Sequence, residues 1–504
     1  MSSAAALAWR ELRLKGAEFM QERVLRSPRG FRAALRSMRE EQTLAEGRRR
    51  AELAAVRAFR SVPAYRDFLR RAGLSSAAVP FERLPAMSKD SYVRAYPTEQ
   101  RCVGGGFVAP GVAIDESSGS TGRPYNWVRG IHERRRARLE MARMLGWALG
   151  ERPRIAINAF SMGAWATGVN MGEALELCGV VKSTGPDLDK ILHTLEFFGP
   201  KPGYLLCGYP PFMKRVLDGM RQGGFPVSDY EMHALVGGEG MTEELRRYLL
   251  AGFRSCYSGY GASDLELGIA LETPEAVRIR SLVNDHAEVR RHVLAGDHRV
   301  PMVFQYNPLT HFLETNERDE LLVTLNHSRV LSPRIRYNIG DEARLMTRRE
   351  LLERVRAAGH DVTARNGEGI SLPYLLLFGR RDQTISIMGA NIYAEDVERV
   401  VYAQPELASG FASFTLSVVE HEDRAVHPRL SVEWHDEAPP ELPLAELAER
   451  IRAGLADINA DFRQSLSEYP DALRFELVVF GFGQGPFAGA GRRIKNRYLE
   501  KAAP

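Results

Sequence analysis

From residue 154 to residue 261 the chain repeats one rhythm: a short apolar run, a glycine, a helical stretch, then another apolar run. The runs are 154–159, 180–181, 204–207 and 234–236, separated by segments such as 211–219 and 243–250. Such alternation predicts an α/β sheet with crossover helices. Gly208, Gly237-Gly238 and Gly259–Gly261 close these runs, where loops at the carboxyl edge of a sheet face ligands; each also fits an ordinary turn.

The flanks complete the plan. Residues 9–69 are rich in Ala, Leu, Arg and Glu, with Leu53, Val56 and Phe59 at helical spacing, and Pro63 breaks the pattern after Ser61-Val62. Residues 84–90 read as a turn with Ser88 as an N-cap, so 1–90 form a helical cap region. Val112-Ala113-Ile114 predicts a short strand and 131–149 a helix. Further on, 321–325 predicts a strand, and 334–337 ends another in an acidic turn at Gly340-Asp341. A second α/β segment follows Gly379: strand 384–388, turn 389–391, helix 394–402, strands 411–419 and 429–434, and helix 444–458. The Pro-rich 437–443 is a loop, and no internal repeat is visible. A boundary at 378–382 divides the chain into a large N-terminal domain, 1–378, and a small α+β C-terminal domain, 379–504.

Composition excludes several classes. The net charge of +4, from 68 basic and 64 acidic residues, is too small to argue for nucleic acid or an anionic membrane, with the basic residues spread along the chain. Arg10, Glu11, Arg13 and Lys15 interrupt any signal-peptide core, and no run approaches the ~18 apolar residues of a membrane span. Cys102, Cys178, Cys207 and Cys256 form no C-x-x-C pair, so they read as free thiols of a reducing, cytoplasmic setting.

Ser117-Ser118-Gly119-Ser120-Thr121-Gly122-Arg123-Pro124 offers phosphate-binding chemistry. Glycines let the backbone approach an anion, and three serines with one threonine add hydroxyl donors to the backbone N–H groups. It is no Walker A loop, since Gly122 is followed by Arg123-Pro124. Taken alone, it fits a surface turn better than a nucleotide site.

Five motifs in order give it weight: Ser117–Pro124, Gly237-Gly238-Glu239, Tyr260-Gly261-Ala262-Ser263-Asp264, Arg336-Tyr337-Asn338-Ile339-Gly340-Asp341, and Gly379-Arg380-Arg381-Asp382 with Gly389-Ala390-Asn391-Ile392-Tyr393. Through them, nearly the whole chain resembles the adenylate-forming acyl- and aryl-CoA ligases, in particular the phenylacetate-CoA ligase branch. Residues 61–66 and Met87-Ser88-Lys89-Asp90 are also similar to that branch. The resemblance implies a large adenylate-forming domain and a rotating C-terminal lid. It also implies a reaction in which a carboxylate attacks the α-phosphate of ATP and coenzyme A captures the acyl-adenylate.

Residue by residue, the resemblance assigns Ser117, Ser118, Gly119, Ser120, Thr121, Gly122 and Arg123 to the ATP phosphates, with Arg123 where the family has lysine. Gly237, Gly238 and Glu239 fall to the adenine side, and Tyr260 stacks on the base, with Gly261, Ala262 and Ser263 beside it. Asp264 stands for the Mg²⁺-facing glutamate. Asp341 and Arg380 fall at the ribose, and Asp382 at the hinge. Phe160, Trp165, Tyr209 and Gly259 line the pocket for an aromatic acid, although the three aromatic residues read by themselves are also ordinary core. Arg134-Arg135-Arg136-Ala137-Arg138 reads better as a solvated helix face than as a coenzyme A contact. His286, His292 and His298 lack neighbouring cysteines, so no zinc is expected.

The C-terminus departs from the pattern. Aligning Arg492-Arg493-Ile494-Lys495-Asn496-Arg497 with the family's basic stretch puts Gly489 where the catalytic lysine belongs, leaving Lys495 to act from a shifted register. The expectation is an ATP- and Mg²⁺-dependent, AMP-forming ligase using an aromatic acid and coenzyme A, with Lys495, Thr121 and Asp264 catalytic. Two alternatives stay open: transfer to an amine, hydroxyl or carrier protein, and a non-catalytic nucleotide-binding relative. Neither nucleic acid nor membrane is expected as a partner, and a homodimer is left open.

Overall fold

The computed structural model describes residues 3–116, 125–164, 166–362, 369–380, 384–387, 390–420, 426–468, 470 and 473–488. The cap region is four helices, α1 (Ser3–Arg26), α2 (Pro28–Ser37), α3 (Glu40–Ser61) and α4 (Pro63–Arg71). Pro63 does interrupt the helix, and it also starts the next one at the first helical position, where its missing N–H is not needed. Ser88 caps as expected: its hydroxyl accepts from Ser91 N while the Ser91 hydroxyl accepts from Ser88 N, both at 3.0 Å. Strands β1 (Ala113–Glu116) and β2 (Asn126–Arg129) pair antiparallel on either side of residues 117–124, which lie outside the described residues. Helix α5 (Ile131–Leu149) follows, its N3 residue Glu133 returning a carboxylate oxygen to Gly130 N.

The predicted alternation supplies four of the five strands in the parallel half of an 11-stranded sheet; the fifth, at 255–260, is added by the structure. That half comprises β3 (Ile155–Asn158), α6 (Ala166–Leu175), β4 (Val180–Ser183), α7 (Leu188–Phe198), β5 (Gly203–Gly208), α8 (Pro210–Gln222), β6 (Glu231–Gly237), α9 (Glu243–Leu250) and β7 (Ser255–Tyr260), with strand order β4-β3-β5-β6-β7. β5 is buried throughout because both its faces are covered: Tyr204 and Leu206 enter one core, Leu205 and Cys207 another.

An antiparallel half continues the sheet. Its elements are β8 (Ala270–Leu271), α10 (Pro274–Asp285), α11 (Ala287–Leu294), β9 (Met302–Tyr306), β10 (His311–Thr315), β11 (Glu320–Leu325), β12 (Tyr337–Met346), α12 (Arg348–Ala357) and β13 (Tyr374–Arg380), ordered β8-β9-β13-β12-β11-β10. Here one expectation is corrected: residues 334–337 do not end a strand before an acidic turn. Arg336 has a left-handed backbone, φ 48, so the chain turns there, and β12 starts at Tyr337 and carries Asp341 within it.

The C-terminal elements are β14 (Thr384–Ile387), β15 (Ala390–Tyr393), α13 (Ala394–Tyr402), α14 (Pro405–Ala408), β16 (Phe411–Glu420), β17 (Val426–Trp434), α15 (Leu444–Ile458), α16 (Ala460–Glu468) and β18 (Glu476–Phe480). β14 and β15 form a two-stranded sheet, and β16, β17 and β18 a separate three-stranded one. α13 packs closely on α15 at Gly454, where a Cβ would come within 2.7 Å of Val400 Cγ1. The core around Val397, Val400 and Val401 runs on into Leu217 of α8 and Leu245 and Leu249 of α9. An Arg399–Glu244 ion pair of 3.2 Å lies at that junction.

Candidate functional site

Asn158, Gly208, Gly237 and Tyr260 end β3, β5, β6 and β7, so the parallel strands present their carboxyl termini along one edge. That edge opens on a cavity of about 650 Å³, with α13 forming part of the opposite wall. Four of the five motifs reach it: Gly237–Glu239, Tyr260–Asp264, Tyr337–Ile339 with Asp341, and Gly379.

At one end the walls suit a flat polar group. Gly237 is required because a Cβ would sit 2.9 Å from Gly259 O, and Gly238 has φ 89, a conformation that favours glycine. The Tyr260 ring stacks on Phe304 with centroids 6.0 Å apart, and its hydroxyl donates to Asp341 Oδ2 at 2.6 Å. In the sheet register Asp341 stands opposite Arg380, which brings both predicted ribose residues to one place. Asp264 accepts from the Tyr337 hydroxyl at 2.6 Å through Oδ2. Burial, then the Asp264 carboxylate, push the Tyr337 phenol far above its ordinary range, so it remains a donor.

A buried ionic network braces this edge. Arg246 Nε lies 2.9 Å from Glu243, which also accepts from Arg280 at 2.7 Å, and Arg246 pairs with Glu272. Glu272 in turn accepts from Ser258 N at 2.7 Å, two residues before Tyr260. Each buried charge therefore has a partner, as burial demands.

The other end is apolar. Phe160 and Tyr209 meet edge to face, centroids 5.2 Å apart at 85°, and line the cavity with Gly259, Met141, Met171 and Leu271. Gly268 leaves room for Met141 at this end, since a Cβ there would lie 2.7 Å from Met141 Cε. Trp165 lies outside the described residues, as do Ser117–Arg123, expected at the phosphates, Asp382, expected at a hinge, and Gly489 and Lys495.

Sequence reasoning missed the acidic wall. Glu395, Asp396 and Glu398 of α13 line the cavity opposite Glu239 and Glu244. Burial raises all three: Asp396 to about 6, despite an Asn459 donor at 2.9 Å, and Glu398 well above its ordinary value. The run reads as an acidic helix start, and nothing local shows that it meets other carboxylates 150 residues away.

The basic run on α5 is a second correction. Rather than a solvated face, it is a set of ion pairs: Arg136 is buried against Glu266 and Glu140, both at 2.9 Å, and Arg134 and Arg138 both reach Glu173. His311 also contacts Glu266 at 3.1 Å. Burial alone would raise the Glu266 carboxyl, but Arg136 and His311 outweigh it and hold it at about 2.

Among the described residues no cluster of three or more His, Cys, Asp or Glu is arranged to hold a metal, and no helix is long and apolar enough to cross a membrane. The four cysteines carry free thiols.

No protein-family model matches the sequence, and no curated protein aligns with it significantly. Similarity is found in three dimensions. The chain is similar to 2-hydroxyisobutyryl-CoA ligase in the postadenylation state, in complex with 2-HIB-AMP, with TM-score 0.64 and 15% identity over 92% of this chain and 89% of that one. Against the open conformation of that ligase with 2-HIB-AMP and CoA the TM-score is 0.54, at 15% identity over 92% and 91% of the chains. Against its thioesterification state it is 0.52, at 16% identity over 92% and 89%. The chain therefore has the two-part fold of this adenylate-forming ligase.

Proposed function

We propose that the protein is an ATP-dependent, AMP-forming ligase that adenylates a carboxylic acid, with an aromatic acid preferred, and passes the acyl group to coenzyme A. The observation that carries this reading is the cavity itself. At about 650 Å³ it falls in the size range of small-molecule sites, and it joins the Tyr260–Asp341 end to the Phe160–Tyr209 end. An acyl-adenylate has that polarity: a nucleoside at one end and an acyl group at the other. The shared fold with a ligase crystallised with 2-HIB-AMP supports the same reading.

In this mechanism Tyr260 offers a ring face and Asp341 its carboxylate to the nucleoside, while Ser117–Arg123 supply phosphate donors. Held in line, a substrate carboxylate oxygen attacks the α-phosphorus as the bond to pyrophosphate breaks; the thiol of coenzyme A then attacks the acyl carbon and AMP leaves. Asp264, whose carboxylate is held by the Tyr337 hydroxyl, would be the residue to hold Mg²⁺, and the ion would neutralise phosphate charge. Phe160 and Tyr209 present a ring edge and a ring face, which favour an aromatic acid. The domain boundary at 378–382 and the hinge at Asp382 belong to the same proposal.

Gly489 in place of the family's lysine favours a second reading, in which adenylation is weak and the chain hands the acyl group elsewhere or only binds nucleotide. A panel of aryl and aliphatic acids, scored for AMP and pyrophosphate with and without coenzyme A, separates these. Turnover that needs an aryl acid and coenzyme A is expected. AMP formation indifferent to coenzyme A points to another acceptor, and ATP binding without pyrophosphate release with any acid overturns the ligase reading.

A further inference from the structure

The outer face of α1 is left unaccounted for by any catalytic reading. Trp9, Leu12, Phe19 and Met20 are 52%, 68%, 60% and 57% exposed, and with Gly16 and Arg23 they recur at three- and four-residue intervals on one side of the helix. Leu14 and Leu25 are buried on the opposite side, so the helix is apolar on two faces and only one is covered. At about 200 Å² for a large apolar residue, the open stripe amounts to roughly 500 Å², the size of patch that marks an interaction site.

Charge is segregated around it. Residues 1–39 hold nine Lys and Arg against three Glu, an excess of six in a chain of net charge +4, so the remainder is net −2. The whole-chain balance conceals this concentration. All three acids face inward: Glu18 accepts from Ser328 N at 2.6 Å, Glu22 pairs with Arg26 at 3.0 Å and Arg135 at 3.3 Å, and Glu11 is half-buried. Arg10, Arg13, Lys15 and Arg23 are exposed beside the stripe, and the Arg13 guanidinium lies 5.5 Å from the Trp9 ring centroid.

We propose that this face of α1 docks the protein peripherally on an anionic lipid surface. Tryptophan, phenylalanine and leucine would enter the acyl boundary while the flanking cations meet lipid phosphates. A second copy of the chain fits less well, because cations would meet cations; nucleic acid gives Leu12 and Met20 nothing to bind. α1 packs on α5, with Arg143 Nε donating to Leu25 O at 2.7 Å, and α5 carries Met141 to the apolar end of the cavity. The docked face thus lies one helix away from that end.

The test is sedimentation of the full chain with equimolar phosphatidylglycerol–phosphatidylcholine vesicles and with pure phosphatidylcholine vesicles, in low and high salt, alongside its oligomeric state by light scattering. Binding to the anionic vesicles that salt weakens is expected, with a loss of roughly tenfold or more in Leu12→Glu/Phe19→Glu and in Arg13→Glu/Arg23→Glu. All four positions changed are exposed, so melting temperatures should be unchanged, and the exposed Phe197→Glu serves as a control that binds like wild type. The proposal is overturned if wild type stays in the supernatant with anionic vesicles. It is equally overturned if both double variants bind as wild type, or if the stripe is instead needed for dimer formation in the absence of lipid.

Discussion

The Tyr260 hydroxyl donates to Asp341 Oδ2 at 2.6 Å, linking the end of β7 to the middle of β12 across the cavity. These residues stand 81 positions apart, and only the sheet order brings them together. Asp341→Ala is expected to abolish most of the stabilisation that ATP gives to thermal melting, while costing the empty protein only about 1 kcal/mol for one lost hydrogen bond. Tyr260→Phe keeps the ring and should lose less. An Asp341→Ala protein with the wild-type ATP shift would make Asp341 a structural residue.

The acidic wall predicts pH-dependent docking of the C-terminal elements. Asp396 is raised to about 6 and Glu398 well above its ordinary value, both by burial, with Glu239, Glu244 and Glu395 adding negative charge and Arg280, Arg399 and His298 opposing it. The docked arrangement therefore holds protons that an undocked one releases. Its stability is full below the ordinary carboxylate range and is lost as pH rises through about 6. Small-angle scattering at pH 5 and pH 8 should show a more extended chain at the higher pH, with a weaker dependence in Glu398→Gln. Identical profiles at both pH values would rule this out.

Glu266 predicts an acid-side loss of stability. Held at about 2 against an ordinary 4.5, it contributes stability that is present above 4.5 and is lost as pH falls towards 2. Glu133, pushed up to about 7 by burial, works with the opposite sign, losing its contribution as pH rises from 4.5 to 7. Glu266→Gln leaves Arg136 short of one buried partner and should cost about 3 kcal/mol at pH 7, on the scale of a broken buried ion pair. Denaturant melts at pH 7 and pH 3 check both parts: the variant should lose less on acidification.

The C-terminal departure predicts a kinetic signature. If Lys495 supplies the missing cation, pyrophosphate exchange should fall at least roughly tenfold in Lys495→Ala, on the scale of a lost transition-state donor, and not in Arg493→Ala. A silent Lys495→Ala together with faster exchange in Gly489→Lys would show that the chain has lost its catalytic cation.

Local chemistry made the element types legible. α5, α13 and α15 run over the residues predicted for them, and β3 to β6 fall where the apolar runs do, whereas β7, with Ser255, Ser258 and Gly259 among its six residues, carries no such run; helix and strand patterns are fixed by neighbours within a few residues. The motifs likewise marked Gly237–Glu239, Tyr260–Asp264 and Asp341, since close backbone approach and a ring beside a carboxylate require those residue types at those places.

What tertiary structure alone decided is which side each polar residue faces. Arg134–Arg138 reads as a solvated run until Glu173 and Glu266 are placed against it; the helix predicted at 394–402 gives no sign that its Glu395, Asp396 and Glu398 share a cavity with Glu239 and Glu244. Arg336 reads as a strand residue until its left-handed backbone turns the chain and places Asp341 opposite Arg380. Charge pairing, desolvation and register depend on partners far along the chain, from 39 residues away for Arg134 and Glu173 to 130 for Arg136 and Glu266, so sequence spacing carries no record of them; helix and strand type depends on near neighbours, and there the sequence was sufficient.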